Sequence, residues 1–121
     1  MTLDTKTDEL TLLLADAEEA LRELRYGVTA KVTLGIDHFL SYEKSGADWV
    51  LMCHLPNGQK TPLLSAQRKL RVFAADSMMA LHDELLSERD RIDRDVQQAV
   101  EKMKLVNANL REVMKKKPRR R

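Results

Sequence analysis

Between Ala66 and Lys117 the chain contains neither proline nor glycine. A breaker-free run of this length has few ways to fold other than as helix. Within it Met78, Leu85, Ile92, Ala99, Val106 and Val113 recur every seven residues. Val96, Met103 and Leu110 fill the alternate positions, so from Val96 to Val113 the apolar residues follow a heptad pattern. Two upstream seam positions carry His82 and Arg89 instead, and Leu86, Val100 and Met114 widen the stripe on one side. A widened stripe suits a helical bundle better than a bare two-stranded coil. The outer face pairs opposite charges, such as Asp90 with Arg94 and Glu101 with Lys104, each worth a few tenths of a kcal/mol.

At ~1.5 Å per residue, a helix from Asp76 to Met114 would extend roughly 60 Å. The remainder of the chain predicts too little structure to cover such a stripe. Leu85, Ile92, Val96, Ala99, Met103, Val106, Leu110 and Val113 are therefore expected at an oligomer interface, with a homodimer as the first reading and a larger protein partner beside it. The alternative is a break near Asp76-Ser77 or Asn107–Asn109, with the pieces folding back into a monomeric bundle.

Upstream, Leu10, Leu14, Ala17, Leu21 and Leu24 recur at spacings of four and three, which predicts a helix from about Thr7 to Tyr26. Thr7 is its expected N-cap and Gly27 the residue after its end. From Val28 to Tyr42 the period changes to two, the signature of strands with one buried and one wet face. Gly35 marks a bulge, a bend or a break into two strands. Lys44–Ala47 reads as a turn, and Asp48–Leu55, apolar on both parities, as a central strand. Asn57-Gly58 is a strong hairpin signal, and Pro62 confines the returning strand to an edge. Ser65 is the expected cap of the long helix. The fold class is thus α+β: an N-terminal helix, a small antiparallel meander of three or four strands, then a long C-terminal helix. Residues 1–114 form a single domain in this reading and residues 115–121 a basic tail.

Catalytic and metal-binding groups must converge, and the sequence offers little that does. Cys53 and His54 are neighbours on a strand, so they point to opposite faces. No CxxC, HxxxH or HExxH spacing occurs, and the four glycines are scattered singly, without a phosphate-cradling loop. His38 falls on the apolar parity of its strand, where a hydrogen-bonded histidine is expected. Arg89 either fixes a helical register or extends to solvent with its stem packed, and Trp49 is the expected aromatic anchor of the sheet. No catalytic residue, cofactor or metal is expected.

The net charge of +2 conceals a segregation. Residues 115–121 carry +6 on Lys115, Lys116, Lys117, Arg119, Arg120 and Arg121, so the other 114 residues sum to −4. Six cations can release counterions from DNA or RNA without reading sequence. Arg68 and Arg71 form a second, smaller basic patch. The tail also complements the negative end of a helix dipole, a role that needs no ligand. No apolar run approaches the ~18 residues that cross a membrane, and the single cysteine and the polar N-terminus fit a cytoplasmic protein. The expectation is a non-enzymatic accessory or regulatory protein that binds other protein through its helices, with DNA or RNA contact through the tail as the alternative. Small proteins of phages and other mobile elements are often built this way, an analogy of architecture alone.

Overall fold

A computed structural model describes residues 2–116. The elements are α1 (Leu3–Leu24), β1 (Ala30–Leu34), β2 (His38–Ser45), β3 (Asp48–His54), β4 (Lys60–Pro62), a 3-10 turn (Leu63–Ser65) and α2 (Arg68–Lys116). The expected α+β class is what forms: helix, four-stranded antiparallel sheet, long helix. By its internal contacts the chain divides into two compact units, one ending at Arg89 and one beginning at Asp90.

In the first unit α1 begins earlier than the Thr7 cap predicts. The Thr2 hydroxyl accepts the Thr5 amide N–H at 3.2 Å and caps the helix there. Thr7 and Thr11 instead donate their hydroxyls back to the carbonyls of Leu3 and Thr7, a bond that lets threonine sit inside a helix. The helix also ends earlier, at Leu24, because Arg25 takes the left-handed conformation (φ 51°) and returns its N–H to the Arg22 carbonyl. Leu14, Glu18 and Leu21 are the buried positions, whereas Leu24, expected in the stripe, is exposed.

The strands are ordered β1-β2-β3-β4, each antiparallel to the next. Opposed pairs include Ala30 with Tyr42, Leu40 with Cys53 and Cys53 with Thr61. The pleat therefore sends Ala30, Leu34, Leu40, Tyr42, Leu51 and Cys53 into one core. α1 and the first part of α2 complete that core through Leu14, Leu21, Leu70, Ala74, Leu81 and Leu85. Tyr42, at 1% exposure, is the deep aromatic; Trp49 is half-buried and stacks on it with ring centroids 5.5 Å apart. The anchor expected at Trp49 thus lies one strand away, because Trp49 sits near the open start of β3.

β4 pairs only with Met52–His54, which leaves the outer edge of Asp48–Leu51 without a strand. Side chains of α1 take that place. Buried Glu18 accepts the Leu51 amide N–H at 2.9 Å, and Arg22 donates to the Trp49 carbonyl at 3.3 Å while holding Glu18 at 3.0 Å. A helix thus satisfies the backbone groups that a longer fourth strand would otherwise meet.

α2 starts at Arg68, not at a Ser65 cap. Leu63–Ser65 close a 3-10 turn in which the Ala66 N–H returns to the Leu63 carbonyl, and the Gln67 carbonyl accepts the first helical amides. From there the helix is continuous to Lys116, without the breaks allowed at Asp76-Ser77 or Asn107–Asn109. Arg71 donates to Thr11 and Tyr26 meets His82, so α1 and the start of α2 run in the same direction side by side.

Gly35 turns β1 into β2 with φ 60°, and a Cβ there would stand 2.7 Å from the Phe73 ring of α2. Gly46, between β2 and β3, has a similar φ of 63° but open space around it. Gly46→Ala should therefore cost about 1–2 kcal/mol from backbone conformation alone, and Gly35→Ala clearly more, because the ring must also move. Urea-unfolding midpoints of the two variants check this order.

Candidate functional site

Every residue from Asp90 to Lys116, the described part of the second unit, is exposed. Six large apolar side chains line one face of this segment: Ile92, Val96, Met103, Val106, Leu110 and Val113, at 38–61% exposure. Ala99 completes the row, and the spacing alternates four and three as the heptad pattern requires. Val100 and Met114 extend the stripe along one flank. Polar side chains elsewhere bind along the helix: Arg91 to Asp95 at 3.3 Å, Gln97 to Glu101 at 3.2 Å and Lys104 to Glu101 at 3.5 Å. Pairs of this kind hold an isolated helix together by tenths of a kcal/mol each and leave the apolar row untouched.

One residue of the expected interface does not belong to it. Leu85 is fully buried in its own chain's core, so the exposed row begins at Ile92. His82 and Arg89, the polar residues of the seam, also have partners within the first unit. His82 shares a 2.7 Å hydrogen bond with the Tyr26 hydroxyl, and Arg89 lies over the Tyr26 ring at 5.6 Å from its centroid.

The basic residues separate into different roles. Arg71 donates to the Ala66 carbonyl and to the Thr11 hydroxyl, which makes it a tie between α2, its leading turn and α1. Arg68 is exposed and, with Lys6, borders a shallow groove of about 430 Å³ floored by Leu3, Leu10, Val72 and Phe73. Lys115 and Lys116 form the last turn of α2, where their charge favours the carbonyl end of the helix. Lys117, Arg119, Arg120 and Arg121 lie outside the described residues.

The sheet carries one polar cluster that the sequence reading missed. On the face opposite the core, Ser41 donates to Glu43 at 2.6 Å, and the His54 Nε2 lies 2.8 Å from Ser41 Oγ and 3.0 Å from Glu43 Oε1. Lys60 binds the other Glu43 oxygen at 2.8 Å. The residue types resemble a nucleophile, a base and an orienting acid, but the wiring differs. A hydrolase triad sets its carboxylate on one imidazole nitrogen and its hydroxyl on the other. Here both meet Nε2, and Ser41 is 2% exposed. The cluster fastens β2, β3 and β4 together instead. Alternation along β2 puts Ser41 and Glu43 on one face, but His54 and Lys60 come from other strands, and their meeting depends on the strand register.

Cys53 lies on the opposite face from His54, fully buried, and burial pushes its thiol up to about 11. His38 bonds the Ile36 carbonyl at 2.8 Å. Among the described residues no three His, Cys, Asp or Glu side chains gather as metal ligands, and no helix is long and apolar enough to cross a membrane. Comparison with protein-family models, with curated proteins and with solved structures finds no match.

The polar cluster sets a pH dependence. Burial alone would raise the Glu43 pKa, but bonds from Lys60, Ser41 and His54 outweigh it and hold the carboxyl below its ordinary 4.5. A depressed folded pKa stabilises the fold above the unfolded value and loses that contribution as pH falls through the folded one. Glu43→Gln should therefore be less stable than the parent chain at pH 7. The difference should stay constant down to about pH 5 and shrink below that. Denaturant titrations across this range test the direction, and a difference that grows as the pH falls would contradict it.

Proposed function

We propose that the chain is a non-enzymatic accessory protein that associates with a second copy of itself through the apolar row of Asp90–Lys116. The observation that carries this reading is the combination of heptad spacing with exposure: seven consecutive seam residues, Ile92 to Val113, face solvent in the single chain. A helix with such a row is stabilised mostly by packing against another surface. At roughly half exposure, covering each large side chain is worth about 1 kcal/mol. Twelve such side chains in a pair give a gross gain comparable with the ~4–15 kcal/mol lost in association. The expected dimer is therefore concentration-dependent. The sheet and its flanking helices would then form the part presented to a larger protein partner.

Val96→Asp combined with Met103→Asp places four carboxylates in the seam of a pair. Both residues are exposed, so the first unit should fold as before. Light scattering should report a fall from dimer mass to monomer mass, with near-UV circular dichroism from Trp49 retained. A parent chain that stays monomeric at its highest soluble concentration would refute self-association.

The basic tail supports a secondary contact with nucleic acid or another polyanion, because it concentrates +6 of charge on a body that sums to −4. A chain ending at Lys116 should bind duplex DNA more weakly. Its log–log salt slope should flatten by up to about four, one for each lost cation, at ~0.9 per phosphate. An unchanged slope would move the contact elsewhere, with exposed Arg68 as the first position to test.

A further inference from the structure

The Asp90–Lys116 helix is asymmetric in both charge and side-chain size, and the asymmetry bears on how a second copy can lie against it. This inference rests on the self-association proposed above. In the first half of the segment, Asp90, Asp93, Asp95 and Glu101 outnumber Arg91, Arg94 and Lys102. In the second half, Lys104, Arg111, Lys115 and Lys116 face a single Glu112, and the sequence beyond adds only cations to the charge.

We propose that the two copies of this helix pair antiparallel, with Val96 of each level with Val113 of the other. Three things favour that register. First, it sets the acidic start of one helix against the basic end of its neighbour, with Asp95 opposite Lys116 on the flanks of the seam. Second, it opposes the two helix dipoles, whereas a parallel pair aligns them and brings two +6 tails together. Third, it balances the layers. The antiparallel layers are Val96 with Val113, Ala99 with Leu110 and Met103 with Val106, each occurring twice. A parallel pair in register would set Ala99 against Ala99 and leave a thin layer in the middle of the seam.

The chain provides its own clean background for a crosslinking test. Its single cysteine, Cys53, is fully buried, so cysteines introduced on the exposed row would be the accessible ones. Val96→Cys and Val113→Cys are each prepared in the full chain, one carrying a mass tag, then mixed and oxidised with copper phenanthroline. The antiparallel register predicts a tagged–untagged disulfide dimer from the mixture and background levels from either variant alone. In that register the two thiols of a paired Val96→Cys variant would lie about 17 residues apart along the seam, roughly 25 Å. Strong crosslinking of the Val96→Cys chain by itself would overturn the orientation while leaving self-association standing. A parent mass of three or more copies by light scattering would overturn the two-helix pairing. Monomer mass for the parent chain would overturn both.

Discussion

α2 is a 49-residue helix whose buried side chains all lie in its first third or so: Leu70, Ala74, Leu81 and Leu85. Asp90–Lys116, the described part of the second unit, carries the same periodic apolar face and is exposed throughout. Burial of apolar surface is the main favourable term in folding, so this is where the molecule has most left to gain. The proposed association and its orientation both follow from that unburied surface.

The first unit solves a different problem. A four-stranded meander with a three-residue final strand leaves the outer edge of about half of β3 without a strand beside it. Glu18 and Arg22 supply the missing partners from α1. A carboxylate at 7% exposure is costly unless bonded, and here it accepts from a backbone amide and a guanidinium at once. Among the described residues no buried side-chain nitrogen or oxygen lacks a partner. The polar groups of this unit are thus occupied in holding strands and helices together. Ser41, Glu43, His54 and Lys60 do the same on the open face of the sheet, while Lys31 lies over the Phe39 ring there at 4.8 Å.

Much of the architecture was legible in the sequence because it depends on local periodicity. The change from period three-to-four, to two, and back marks helix, sheet and helix, and the hairpin expected at Asn57-Gly58 forms, though its turn runs from Leu55 to Gly58 and only Gly58, at φ 88°, is left-handed. Gly35 does separate two strands, and Pro62 does sit on the edge strand. Element ends were less legible. Several residues can cap a helix, and which one does depends on competing local bonds: Thr2 over Thr7, Gln67 over Ser65, Arg25 ahead of Gly27. The seam was legible as a pattern, but the pattern does not say where the chain's own core stops. Leu85 and Ile92 occupy equivalent heptad positions, yet one is fully buried and the other 38% exposed.

The sequence by itself determined the α+β order, the helical character of the long C-terminal run, the apolar row along it and the segregation of charge towards Lys115–Arg121, because each is a property of neighbours in the chain, whereas the structure decided that this helix is unbroken to Lys116. The tertiary structure alone decided which seam residues are already used, that Arg71 is a tie while Arg68 stands exposed, and that Ser41, Glu43 and His54 meet in a knot and not a triad. Those outcomes depend on strand register and on the packing of α1 beside α2, contacts between residues tens of positions apart. No local period encodes them.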